Sequence, residues 1–155
     1  MSRGGFEEFA KLMRYYESSG RYDVVNRFGY LGAYQFGKPR LLDLGISIDG
    51  WGKHLPHLFK KAKVISKKEF LEDKELQDEI FRKHCEDLKR AIRRRYSHLF
   101  GTKKGGVLLT LSGMVAGAHL VGLGGLIKWL RGERVKDGND VPVELYLKLF
   151  QGFDI

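Results

Sequence analysis

From Gly105 to Ile127 the chain carries no Asp, Glu, Lys or Arg, although charged residues make up 30% of the whole. So long an uncharged run must be hidden from water, either in a bilayer or in a protein core. About 20 apolar residues suffice to cross a membrane, and Gly113 and Gly117 stand at the spacing of a helix-pairing GxxxG motif. The run also holds Thr110, Ser112, His119 and the pair Gly124-Gly125. Each glycine weakens a helix in water by about 1 kcal/mol relative to alanine. We therefore read a central buried helix over residues 107–121, a turn from Gly122 to Gly125 and a new helix from Leu126, with no stable membrane span.

The remaining 132 residues must build the shell around that helix. A chain of 155 residues suits a single domain over 1–155, large enough to bury a core without staples. Cys85 is the only cysteine, so no internal disulfide forms. A net charge of +9 favours polyanionic partners: nucleic acid, acidic lipid or bacterial wall polymers. The opening Met-Ser-Arg-Gly-Gly-Phe-Glu-Glu has no apolar h-region. The expected product is a monomer made in a cytoplasm, reaching any external target by release or injection.

Phe6, Phe9, Ala10, Met13 and Glu17 fall on one face of a helix that Gly20 stops. Residues 21–37 mix aromatic and branched residues with Asn26, Gly29, Gly32 and Gly37, a pattern of short strands and turns. Pro39 opens a helix that Gly45 closes. Residues 46–65, with Trp51 and Pro56, read as a short helix or loop. Ser66 and Glu69 have capping-box spacing, and a helical pattern follows to about Leu99. Lys103 to Gly106 read as a linker, and Val143 to Phe150 as a last helix. The expected class is mostly α (α+β), with a small N-terminal β region.

Glu17 is the anomaly, because it continues an apolar stripe and a buried unpaired charge is costly. In a desolvated setting its carboxyl would hold a proton at neutral pH, as an acid for glycosidic cleavage must. The alternative is that Glu17 faces water and Tyr16 takes the buried slot. His54, His57, His84, His98, His119 and Cys85 show no metal-ligand spacing, so neither metal nor cofactor is expected. The basic run Lys89-Arg90 and Arg93 to Arg95 reads as a solvated helix face, or as a surface for anionic wall polymers, lipopolysaccharide or nucleic acid.

Glu17-Ser18, followed by Gly32-Ala33-Tyr34-Gln35, resembles the signature of soluble lytic transglycosylases and goose-type lysozymes. The Gln of that signature lies 18 positions after the Glu, as Gln35 does after Glu17. Ala118-His119-Leu120-Val121-Gly122 stands where the family has Ala-Tyr-Asn-x-Gly, with His for Tyr and Leu for Asn. The resemblance covers about residues 5–45 and 105–130, and the central run is similar to small phage and prophage members.

It implies a lysozyme-like fold that cuts the MurNAc–GlcNAc β-1,4 bond of peptidoglycan, as a bacteriolytic phage endolysin does. Glu17 would be general acid and then general base, giving a 1,6-anhydro product. Ser18, Asn26, Gly32, Tyr34, Gln35 and His119 would line the sugar site, with Tyr30 and Tyr34 stacking on sugar faces. A hydrolytic muramidase would activate water or use a second carboxylate instead; the nearest candidates are Asp23, Asp43 and Asp49, with Asp23 first, although its setting is that of a turn residue. The rivals are a non-catalytic wall-binding protein and a basic nucleic-acid binder.

Overall fold

Apolar stripes interrupted by glycine and proline fold mainly into helix here. The computed structural model describes residues 2–155, and among these are seven α-helices and four short strands. The protein is mostly α with a minor β component. The chain divides into two compact units, Met13–His84 and the residues up to Leu12 together with Cys85–Ile155.

The Met13–His84 unit receives the end of α1 (Phe6–Ser18). Phe9, Ala10 and Met13 of its stripe are buried, and Glu17 is half-buried while Tyr16 is exposed. Residues 21–37 contain no regular strand. They form only the isolated bridges Val25–Leu31 and Leu31–Phe36, because tight turns fold the segment back before a ladder can extend. α2 (Lys38–Asp43) carries Pro39 in its first turn, starting one residue before the expected opening, and buries Leu41 and Leu42.

The β structure expected near the N-terminus lies further on. β1 (Ile46–Ile48) pairs in parallel with β2 (Lys63–Ile65), Ile46 opposite Lys63. α3 (Pro56–Phe59) lies between them. Ser66 then caps α4 (Lys67–Glu72) with both bonds of a capping box. The long helical pattern breaks once, at Asp73. Its carboxylate accepts from Leu76 N (2.9 Å) and starts α5 (Lys74–Tyr96).

In the other unit, α5 runs on to a 3-10 turn over Ser97–Leu99. The expected linker is a hairpin of β3 (Lys103–Lys104) and β4 (Val107–Leu108), with Lys104 opposite Val107. Gly105 and Gly106 both have positive φ (56° and 78°), as a two-residue type I′ turn demands. α6 (Leu111–Leu130) therefore starts four residues later than expected, capped by Thr110. It consists of two helical stretches that meet in a kink at Gly122 (φ 80°, ψ 159°), so the turn expected over Gly122–Gly125 is confined to that one residue. It is the one described helix long and apolar enough to cross a membrane. Ser112 through Ala118 are buried within the protein, as a core helix requires.

α7 (Val143–Leu149) packs on α6 through glycine. A Cβ on Gly113 would lie 2.6 Å from Leu147 O, and one on Gly117 3.1 Å from Val143 Cγ2. Ser112 Oγ donates to Phe150 O (2.6 Å) and accepts from Phe153 N (3.0 Å). Phe9 sits edge-on to Phe150 and Phe153, with centroids 5.5 and 5.8 Å away.

Candidate active site

Glu17 stands in the last turn of α1, one residue before its end. Ser18 Oγ bonds back to Arg14 O (3.1 Å) and across to Ala33 O (2.8 Å). The second bond ties the helix end to the loop carrying Gly32-Ala33-Tyr34-Gln35. Two segments recognisable in the sequence, 15 residues apart, are thus joined directly. Ser19 follows in left-handed geometry (φ 56°), so the chain leaves the helix sharply.

The loop is shaped by its own polar side chains. Asn26 Oδ1 accepts from Phe28 N and Tyr30 N, each at 2.9 Å. Leu31 and Phe36 exchange backbone bonds of 2.9 and 3.0 Å around Gly32–Gln35. Gln35 Nε2 donates to Gly32 O (2.9 Å). Gln77, on α5 and only 1% exposed, completes the arrangement. Its Oε1 accepts from Ala33 N (2.9 Å), and its Nε2 donates to Tyr22 O and Phe70 O. Gly32 is glycine for two reasons: its φ is +78°, and a Cβ there would lie 2.2 Å from Gln77 Oε1.

Tyr34 cannot offer a ring to a sugar. It is 1% exposed and stacks on Phe81 with centroids 4.0 Å apart. Only its hydroxyl works outward, donating to Asp78 Oδ1 (2.6 Å) and accepting from Arg14 Nη1 (2.7 Å). Tyr22 donates to the same Asp78 oxygen (2.7 Å). Burial, and then the bond to Asp78, push both phenols up from 10.0. Burial opposes the Arg14 charge, but the Tyr34 hydrogen bond and the neighbouring Tyr34, Tyr22 and Asp78 charges leave its pKa raised. The aromatic rings left open are Tyr15, Tyr16, Phe28 and Tyr30, the last 45% exposed.

The sequence candidates thus separate into groups. Glu17, Ser18, Asn26, Gly32, Tyr34 and Gln35 all fall within the Met13–His84 unit. Ser18, Asn26, Gly32 and Gln35 build the loop, with the bonds given above. Asp23 is exposed and paired with Arg21 (3.4 Å), a turn-region ion pair. Asp43 and Asp49 are exposed as well, and Asp49 accepts from Lys67 N (3.3 Å). His119 belongs to the other unit, half-buried on α6 three residues before Gly122. Among the described residues no cluster of three or more His, Cys, Asp and Glu forms a metal site.

No family model, curated protein or solved structure matches this chain. Its chemistry has to be argued from its own residues. Three of these, Arg14, Gln77 and Asp78, escape a reading of the sequence for catalytic motifs. Gln77 had a signal: with Phe81, His84 and Leu88 it stands at the spacing of the buried α5 stripe. Arg14 and Asp78 look like ordinary exposed-face charges until the fold supplies two tyrosines between them.

Proposed function

We propose that this protein degrades peptidoglycan with a lysozyme-like catalytic domain, cutting the MurNAc–GlcNAc β-1,4 bond with Glu17 as its acid. The carrying observation is the Ser18 Oγ–Ala33 O bond. It unites the Glu17-Ser18 and Gly32–Gln35 segments, the two that resemble the transglycosylase and goose-type lysozyme signature. The half-burial of Glu17 at a helix end supports the same reading, since a partly desolvated carboxyl suits a proton donor.

In this mechanism Glu17 gives its proton to the glycosidic oxygen as the bond from MurNAc C1 breaks. The MurNAc C6 hydroxyl then closes on C1, and its proton returns to Glu17. The products are a GlcNAc-ended fragment and a 1,6-anhydro end, with no water consumed. This route asks for one carboxylate. It is preferred to hydrolysis because Asp23, the first candidate for a second, is held by Arg21.

The test is mass spectrometry of the soluble products from purified peptidoglycan. Anhydro-ended disaccharide-peptides, lighter than hydrolysis products by about 18 Da, one water, support the proposal. Reducing-end products assign the protein to the muramidases and reopen the search for a second carboxylate. No products overturn the proposal in favour of a wall-binding or nucleic-acid-binding role, and equal turnover by Glu17→Gln overturns the assignment of Glu17 as the acid.

A further inference from the structure

From Gly50 to Ser66, and on through Lys68, the chain holds six lysines and two histidines and no carboxylate. Lys53, Lys60, Lys61, Lys63, Lys67 and Lys68 are all exposed, as are His54 and His57. The segment is not an extended tail. Lys53, Lys60 and Lys61 stand on the short crossover between two parallel strands, Lys63 on β2 and Lys67 and Lys68 at the start of α4, and the crossover is closed by Lys63 N to Gly45 O (2.9 Å) and Asp49 N to Ile65 O (2.8 Å). Its positive charges are therefore held on one small, ordered piece of the Met13–His84 unit. Elsewhere the basic residues are partly neutralised: Lys89 is buried and paired with Glu86 (2.7 Å), and Arg90 is paired with Asp87. Nothing in the Glu17 site uses the lysines, and like charges at this density cost stability unless an anion offsets them.

We propose that this lysine-rich crossover is a docking surface for an anionic phospholipid membrane. Three observations favour a lipid surface over nucleic acid. The cations are all lysine, point charges suited to a field of phosphates rather than to bidentate reading of base edges. Its two large aromatic rings, Trp51 and Phe59, are not exposed, so neither offers an open face for stacking bases. Its helix, α3, has four residues, too short to read a groove. Val64, between Lys63 and Ile65, is 53% exposed. It places an apolar side chain among the cations, where the headgroup boundary accepts it.

The experiment is co-sedimentation of the full chain with vesicles of phosphatidylcholine mixed with phosphatidylglycerol, and with phosphatidylcholine alone. Binding is expected only to the anionic vesicles, and its loss at about 1 M salt, where the Debye length falls to 3 Å. Each exposed lysine near an anionic surface contributes about fivefold to partitioning, so Lys60→Ala with Lys61→Ala is expected to weaken binding about 25-fold. Arg93→Ala with Arg94→Ala, on the exposed end of α5, is expected to leave it unchanged, as is Glu17→Gln. Absence of anionic-vesicle binding overturns the proposal. So does dependence on the arginine pair rather than the lysine pair, or lysine-dependent binding to duplex DNA without vesicle binding.

Discussion

Gly32 and Tyr34 are two members of one motif, and the fold gives them different work. At Gly32 a side chain must adopt φ +78° and displace Gln77, whose Oε1 would lie 2.2 Å from the new Cβ. Strain in the left-handed region costs about 1–3 kcal/mol, and an orphaned buried amide costs about as much again. Gly32→Ala is therefore expected to lose about 2–6 kcal/mol in urea unfolding. Unchanged stability would mean that Gln77 does not clamp the loop. Tyr34→Phe keeps the ring stack on Phe81 and removes only the hydroxyl between Arg14 and Asp78, a loss of about 1–2 kcal/mol. Its pH signature is specific. Because folding raises the phenol above 10.0, the folded state holds its proton longer than the unfolded chain. That contribution is complete below pH 10 and is lost as pH rises further towards the folded value. Unfolding between neutral and alkaline pH should thus fall less steeply in Tyr34→Phe, with the residue of the slope left to Tyr22. Equal slopes in the two proteins would show that Tyr34 does not titrate differently on folding. Residue types and spacing located this loop in the sequence, but burial of Tyr34 depends on Phe81, 47 positions away, which no local pattern reveals.

Elements with strong local signals were legible, and those formed by distant pairing were not. Pro39, Gly45 and the Ser66–Glu69 box marked helix ends because caps act within one turn. Asp73 was missed as the start of α5 because its neighbours keep helical periodicity through the break. β1 and β2 are three residues each and join across fourteen intervening residues; the all-buried Ile46-Ser47-Ile48 shows no alternation. The Gly105-Gly106 pair carried a hairpin signal, but two-residue strands leave almost no flanking pattern. The contrast between buried and free glycines in α6 gives a test. Gly113 lies against α7, where a Cβ would lie 2.6 Å from Leu147 O, whereas one on Gly124 would lie in open space. Backbone cannot move aside as a side-chain tip does. Gly124→Ala is expected to gain about 0.5–1 kcal/mol from helix propensity. Gly113→Ala is expected to lose about 1–3 kcal/mol as α6 is forced from α7. Thermal melts of the two variants decide it, and shifts of the same sign would mean that α6 and α7 are not close-packed as the structure has them.

At the scale of the whole molecule, the net charge of +9 and the carboxyl of Glu17 are separable instruments. Charge acts over the Debye length, about 10 Å at 0.1 M salt and 3 Å at 1 M, whereas proton transfer acts over one hydrogen bond. The cations most open to solvent stand on different elements, the crossover lysines before α4 and Arg93–Arg95 at the end of α5. No single one of them should control attachment to an anionic wall. Exchanging the Glu17 carboxyl for an amide alters that field by at most one charge against a net +9. Glu17→Gln is thus expected to sediment with purified walls as fully as the unaltered protein at low salt, and both should be released together as salt rises. Turnover alone should differ, falling by a factor of 100 or more, on the order of what a general acid contributes. Were the variant to lose wall binding as well, Glu17 would be a recognition residue. The +9 charge would then be insufficient for attachment, and the catalytic assignment would have to move to another carboxyl.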